Sequence, residues 1–503
     1  MRTDIYLGID MGSTGLKAVA FAAGSGATLA AAGGALPYRQ LPQGGCELAA
    51  DAIAAALARA LRGVAGQLGE RTRDIRALSC TGHGAGLYLL DPRGQLLGAR
   101  AVASTDQRAA ARARALGERA GDALYDEVGC RPWSGQSSLI AAELLGADPA
   151  LRDRARHLLF AKDYLTFLLT GEIATDASDA STAGLLALRE GGWSSLAFEA
   201  AGLADLGARA PAPIVAAGSV VGRVSAAAAS AFGLPPDIPV AMGAIDLLAS
   251  LRAVGAERQG HAVAVLGTWC VNAVVAPARE PKPEVGAIVS FGDPARRLYL
   301  ENSPSSMANV AWAARALQFA DAAAVVECAM SVPLGAEGLR FLPFINGGNW
   351  PAGASAGFVG LQAQHTRAHL ARAVIDGVAA WHAWHLKRLA ALGLGTPGRV
   401  AALGGGARDR RMAQLLAGFL GHAVERCGDD ETGARGAAGY AALSQGQDAA
   451  DCLPAPCEQV VPDAREQAAH TDFYGQFHRV VDSLAPAFGQ LSGACLLYTS
   501  RCV

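Results

Sequence analysis

Residues 6–21, YLGIDMGSTGLKAVAF, carry an apolar run that ends on one carboxylate, Asp10, then a turn of small residues, then a second apolar run with Lys17 near its start. Two runs of strand length joined by a Gly/Ser/Thr turn read as a β-turn-β unit. The turn is not a P-loop, because GxxxxGK[ST] must lead from a strand into a helix and GSTGLK has the wrong spacing. A turn of small residues still aims several backbone N–H groups, with the Ser13 and Thr14 hydroxyls, into one concave nest that suits phosphate oxygens. Asp10 beside it has the right chemistry for Mg2+, which takes a carboxylate together with water and substrate phosphate. Standing alone, the stretch is equally a Gly-rich hairpin.

Outward from this unit, residues 28–36 read as a third strand and 48–68 as a helix with apolar residues at helical spacing. Residues 75–82 and 86–102 read as strands, the latter folded back at an Asp-Pro-Arg-Gly turn, and helices dominate 107–232. The Pro-rich GLPPDIPVAMGAID (233–246) reads as a passage between halves. AVAVLGTWCVNAVVA (262–276) then repeats the opening plan of strand, tight turn with a hydroxyl residue, strand. A strand at 339–347, a long helix at 366–392, a strand at 399–406 and helices near 409–420 and 432–445 follow. The mixed order predicts an α/β fold, with domains at 1–245 and 246–490 around a cleft.

Composition agrees with two domains. The chain has 503 residues, beyond the roughly 250–300 that one core serves. It is 51% apolar and 17% charged with a net charge of −2, which excludes a disordered chain and any strong attraction to nucleic acid. No apolar run reaches the ~18–20 residues that span a bilayer, and Asp4 and Asp10 interrupt the first apolar stretch, against a signal peptide. Ten cysteines without a CxxC pair argue against a zinc site or a disulfide framework, and Cys80, Cys130, Cys270 and Cys328 read as buried reduced thiols, in keeping with a cytoplasmic location. The last nine residues, CLLYTSRCV (495–503), break from the composition before them and resemble a translated sequencing adapter, so they are set aside as non-native.

Two further turns echo the first. LGTW brings Gly267 and Thr268, and LGGGARDRR brings Gly404, Gly405 and Gly406, where missing side chains leave room for a flat ring against backbone and the following helix start offers N–H donors. His365 and His369 stand at i, i+4 but without the Glu of an HExxH motif, so the pair reads as structural. Trp381, His382, Trp384 and His385 read as packing residues on the long helix.

Three such turns in this order, with GIDMGSTGLKAVAF, TGHGAGLYLLD, STDQRA, AKDYLTFLLTGEIATDASDAS, AIDLLASLRAVGA and LPFINGGNWPAGASAGFVGLQAQHTRAHL, resemble the FGGY carbohydrate kinases of the actin-like ATPase superfamily over nearly the whole chain. Within that family LGTW, LPFINGGN and HTRAHL look most similar to pentulose kinases of the L-xylulose kinase type. The resemblance implies two ribonuclease-H-like domains closing on a cleft, and ATP-dependent phosphorylation of a small sugar or polyol. It implies Asp246 as catalytic base, Asp10 as Mg2+ carboxylate, and Gly12, Ser13, Thr14, Lys17, Gly267 and Thr268 around the phosphates. Gly404 to Gly406 would then lie near the adenosine, and Asp106, with Arg108 orienting it, would accept sugar hydroxyls. Asp246 is also placed to cap the helix that follows it. TGHGAG departs from the Gln-Met-His-Gly of D-xylulose kinases, placing His83 at the Gln position and Ala85 at the His position, so the sugar contacts there differ. Erythritol- or glycerol-type polyol kinases, a non-kinase actin-like ATPase and a sugar sensor remain as alternatives, and a homodimer stays open.

Overall fold

The structure, a computed structural model, describes residues 3–491 apart from 210–211, 258–259, 283, 349, 352, 396–397 and 429–430. The segment 495–503 lies outside the described residues.

The opening stretch is a hairpin of β1 (Ile5–Met11) and β2 (Gly15–Ala22). β2 pairs antiparallel with β3 (Thr28–Ala35), and β1 pairs parallel with β4 (Ile75–Gly82). β5 (Val220–Arg223) and β6 (Pro239–Ala241) complete a six-stranded sheet of order β5-β6-β4-β1-β2-β3. A second sheet follows the same plan. β7 (His261–Leu266) and β8 (Cys270–Pro277) form the hairpin, and β9 (Ala287–Val289) and β10 (Arg296–Ser303) extend its antiparallel side. β11 (Arg399–Leu403) and β12 (Val424–Cys427) run parallel on the other side and β13 (Cys457–Val460) closes the edge, giving β9-β10-β8-β7-β11-β12-β13. The duplicated α/β architecture read from the sequence is therefore present as two sheets, each opening on a β-hairpin with antiparallel strands on one side of its first strand and parallel strands on the other.

Both faces of each sheet need cover, and the helices supply it. α1 (Ala50–Leu68) lays Ile53, Leu57, Leu61 and Val64, one helical stripe, onto the first sheet. Two helices cross between the halves. α4 (Asp246–Ala253) sends Leu248, Ala249 and Leu251 into a core with Val263, Ala273 and Val275 of the second sheet, whereas α8 (Thr432–Leu443) packs Ala434, Ala438 and Ala441 on Tyr6, Val19 and Ala77 of the first. The remaining helices used below are α2 (Ala161–Thr170), α3 (Ala177–Thr182), α5 (Met307–Ala316), α6 (Arg367–Leu389), α7 (Arg410–Leu420) and α9 (Gln467–Leu491).

Three expectations change. Residues 233–246 are not a loose passage, since Val240 and Ala241 pair with Leu78 and Ser79 inside the first sheet. The strands read across 86–102 shrink to Tyr88–Leu90 and Arg100–Val102, because a 3-10 turn at Leu97–Ala99 interrupts them. Finally, Cys427 and Cys457 are disulfide-bonded: antiparallel register sets them directly opposite across β12 and β13, a proximity that a sequence separation of 30 hides. Cys80 and Cys270 are buried free thiols, and Cys130 and Cys328 are free but only partly buried. Among the described residues no helix is long and apolar enough to cross a membrane.

Candidate active site

The site grows from the ends of β1, β4 and β7. Asp10 is the penultimate residue of β1, and hairpin register sets Lys17 opposite it on β2. A Cβ on Gly433 would lie 2.2 Å from Asp10 Oδ2, so the glycine lets the first turn of α8 close on the carboxylate. Lys17 Nζ bonds Glu431 Oε1 at 3.1 Å, just before α8. Burial, then the negative charges of Asp246 and Glu431, push the Asp10 carboxyl up to about 7, with Lys17 opposing. Asp10 Oδ1 is buried with no protein partner. Gly12 is partly buried while Ser13 and Thr14 are exposed, and the turn is held from below by Met11 O, which accepts His83 N at 2.9 Å, and Thr14 O, which accepts Leu36 N at 2.9 Å.

Asp246 enters from the other side. Ile245 bridges to Gly82 at the end of β4, and Ile245 N donates to Ser178 Oγ of α3 at 3.0 Å. Ile245 holds the N-cap position, so Asp246 is the first helical residue and not the cap, its Oδ1 accepting Leu247 N at 2.7 Å. Burial pushes its carboxyl up to about 6, against that N–H. The negative charge of Asp246 thus bears on Asp10, whose carboxyl is about half protonated near neutrality, while that of Asp246 titrates about a unit lower.

His83 is buried, which favours its neutral form; Tyr88 OH lies 3.5 Å from Nε2, and Nδ1 has no partner. Ala85 adopts φ +60°, a left-handed conformation uncommon without glycine. Asp106 departs from its expected role as a free hydroxyl acceptor. It is 0% exposed, and its oxygens accept Cys46 N at 2.8 Å, Arg108 N at 2.9 Å and the Arg108 guanidinium at 2.7–3.1 Å. Arg108 also bonds Glu47 at 2.9 Å.

In the second sheet, Gly267 and Thr268 form the turn between β7 and β8, with Thr268 exposed and Trp269 39% exposed beside it. The three glycines after β11 divide their work. A Cβ on Gly404 (φ +86°) would meet Leu266 O at 3.0 Å and one on Gly406 would meet Met307 Sδ at 2.7 Å, so both seat the loop against β7 and α5. Gly405 has nothing within 4 Å and is exposed. A 3-10 turn at Gly405–Arg408 leads from the glycines into the helix expected near 409–420. α7 starts at Arg410, and Asp409 caps it by accepting Arg411 N at 2.9 Å, which takes up one of the donors meant for an anion. His365 and His369 stay structural: His369 Nδ1 accepts Thr366 N at 3.2 Å at the start of α6.

One cluster escaped sequence reasoning. Lys162 Nζ, wholly buried, contacts Asp163, Asp176 (2.9 Å) and Asp179 (3.0 Å), three carboxylates around one ammonium. Burial raises Asp163 and Asp179, and Asp176 in addition accepts Ser178 N and Asp179 N to cap α3. The signal was the Lys162-Asp163 pair inside an apolar helix, AKDYLTFLL, followed by two acids in TDASD.

Known proteins match this arrangement. The model for the N-terminal domain of the FGGY family of carbohydrate kinases matches residues 5–253 and that for the C-terminal domain matches 262–444. A probable L-xylulose kinase of Pasteurella multocida is 28% identical over 95% of this chain and 99% of its own length. The L-xylulose/3-keto-L-gulonate kinase of Escherichia coli is 28% identical over 85% of this chain and 86% of its own. The crystal structure of xylulose kinase from Rhodospirillum rubrum superposes with a TM-score of 0.88 at 26% identity, covering 96% of this chain and all of that one.

Proposed function

The chain belongs to the FGGY family of carbohydrate kinases, and we propose that within it this protein transfers the terminal phosphoryl group of ATP to a hydroxyl of a ketopentose of the L-xylulose type, with Asp246 as base. The observation that carries this reading is that Asp246, in the first turn of α4, lies near enough to Asp10 at the end of β1 for its charge to push the Asp10 carboxyl up. An alcohol is a poor nucleophile, and a carboxylate poised near pH 6 accepts its proton as the phosphoryl group moves through a loose, in-line transition state. Ser13, Thr14, Lys17 and the Gly267–Thr268 turn line the phosphate side, and Gly405, open above its packed neighbours, faces the nucleoside.

The unpartnered Asp10 Oδ1 fits a divalent cation, and we assign Asp10 as the carboxylate that would hold Mg2+. When bound, that ion neutralises phosphate charge. On the sugar side His83 offers a neutral ring with a free Nδ1, while Asp106 acts at one remove by fixing the Arg108 guanidinium.

The test is ADP release with Mg·ATP across L-xylulose, D-xylulose, L- and D-ribulose, erythritol and glycerol, run beside Asp246→Asn. Turnover should depend on a ketopentose and fall by ~10²–10⁴ in the variant, with ATP binding kept. Release that ignores both acceptor and Asp246 would refute the assignment, and preference for erythritol or glycerol would move it to a polyol kinase.

A further inference from the structure

The long helix α6 carries a histidine whose surroundings are not those of a packing residue. His382 is 0% exposed, and both ring nitrogens are engaged: Nε2 lies 2.8 Å from Ser306 Oγ and Nδ1 2.9 Å from Asn272 Oδ1. Ser306 and Asn272 are equally buried. Asn272 sits on β8 and turns its amide nitrogen toward Cys270 Sγ at 3.2 Å, which leaves Oδ1 as acceptor and makes the imidazole an Nδ1–H donor. Nε2 then accepts the Ser306 hydroxyl proton. Burial holds the ring neutral, its pKa down at about 3.

Ser306 immediately precedes α5, and from there the chain of bonds returns to the β7–β8 turn. Ser306 N donates to Thr268 O at 2.9 Å and Met307 N to Gly267 O at 2.9 Å. Asn309 Nδ2 fastens Ser306 O at 3.0 Å and Pro343 O at 3.1 Å. The carbonyl edge of the turn is thereby tied to α5, while Asn272, four residues beyond Thr268 on β8, anchors the far end. The result is a closed polar ring of turn, strand, helix α6 and helix α5, with His382 as the one side chain bridging strand to helix.

We propose that His382 is a positioning residue for phosphoryl transfer, fixing the Ser306 hydroxyl and through it the orientation of the Gly267–Thr268 turn. The inference rests on the reading of that turn as a phosphate site. A buried histidine kept as a neutral Nδ1–H tautomer is a rigid two-ended spacer, and the turn it holds keeps its donors aimed before nucleotide arrives.

Steady-state kinetics of the full chain, with sugar affinity from calorimetry without nucleotide, tests this on His382→Phe, His382→Gln, Ser306→Ala, the His382→Phe/Ser306→Ala pair and Thr268→Val. His382→Phe should raise KM for Mg·ATP and lower kcat, each about tenfold, the scale of one buried hydrogen bond. Sugar affinity should be unchanged, the Ser306→Ala/His382→Phe pair no worse than either alone, and His382→Gln should recover most of the loss. A lower melting temperature with wild-type KM and kcat, or additive effects, would overturn the proposal. Thr268→Val separates the two readings. If it raises KM for ATP and the His382 variants do not, the positioning role alone fails; if it leaves KM unchanged, the phosphate turn and the positioning role fail together. Should His382→Phe not fold, 15N spectra of the unsubstituted protein decide, since an Nε2–H or doubly protonated His382 at pH 7 contradicts the bonding described.

Discussion

Asp10 and Asp246 cost the empty protein stability when they ionise. Their folded carboxyls titrate near 7 and 6, above the unfolded value of 3.8, so the native state binds more protons across that window and stability falls as pH rises through it. Asp10→Asn and Asp246→Asn should therefore each stabilise the nucleotide-free protein at pH 8 by on the order of 1–2 kcal/mol, roughly 1–3 °C in Tm, with the gain gone at pH 4. Scanning calorimetry at the two pH values checks this; a loss at pH 8 contradicts it. With Asp246 in its proposed role as base, the same value predicts an acid limb in kcat/KM for the sugar, with activity falling as pH drops through about 6 and the carboxylate takes up a proton. Gly405→Leu should raise KM for ATP at least tenfold with little change in Tm, because its Cβ enters open space, whereas Gly406→Leu should impair folding against Met307. The place of Asp10 at the end of an apolar strand before a small-residue turn was legible in the sequence, whereas Asp246 was singled out only by the family resemblance of AIDLLASLRAVGA. The saturation of Asp106 was not, since its partner Cys46 N lies sixty residues upstream.

At the scale of elements, α3 is a short strut with contacts on three sides. Ser178 Oγ holds Ile245 N just before Asp246, Ser181 Oγ accepts Ser290 N of the second half at 3.1 Å, and Lys162 of α2 grips Asp176 and Asp179 from below. Lys162→Met would strand three buried carboxylates without their cation, and urea unfolding should register a loss of about 3–5 kcal/mol. A loss below 1 kcal/mol would mean that protonation of Asp163 and Asp179 already balances the cluster. Strands 5–11, 15–22 and 75–82 were legible from apolar runs bounded by glycine turns, and α1 from its helical stripe. The Asp409 cap had a local signal in RDRR that the glycine run overshadowed, while the pairing of Cys427 with Cys457 needed strand register that spacing does not encode.

Over the whole molecule, the repeat of hairpin and parallel strands announced two halves, but nothing in the sequence announced that they exchange helices. α4 and α8 meet backbone to backbone, since a Cβ on Gly436 would lie 1.7 Å from Ala249 O, and α8 meets β1 as closely, since one on Gly8 would lie 1.7 Å from Ala434 O. Gly436→Ala should separate the helices and destabilise the protein by about 3 kcal/mol, more than surface substitutions do, as read from urea unfolding. The exchange also bears on synthesis. The strands of the first sheet leave the ribosome complete at Ala241, yet the helix that covers Tyr6, Val19 and Ala77 ends at Leu443. At ~5–20 residues per second, the roughly 200 residues between them leave that apolar face bare for about 10–40 s. The nascent chain must meanwhile be shielded by holdase chaperones or delay its first sheet until α8 has been read.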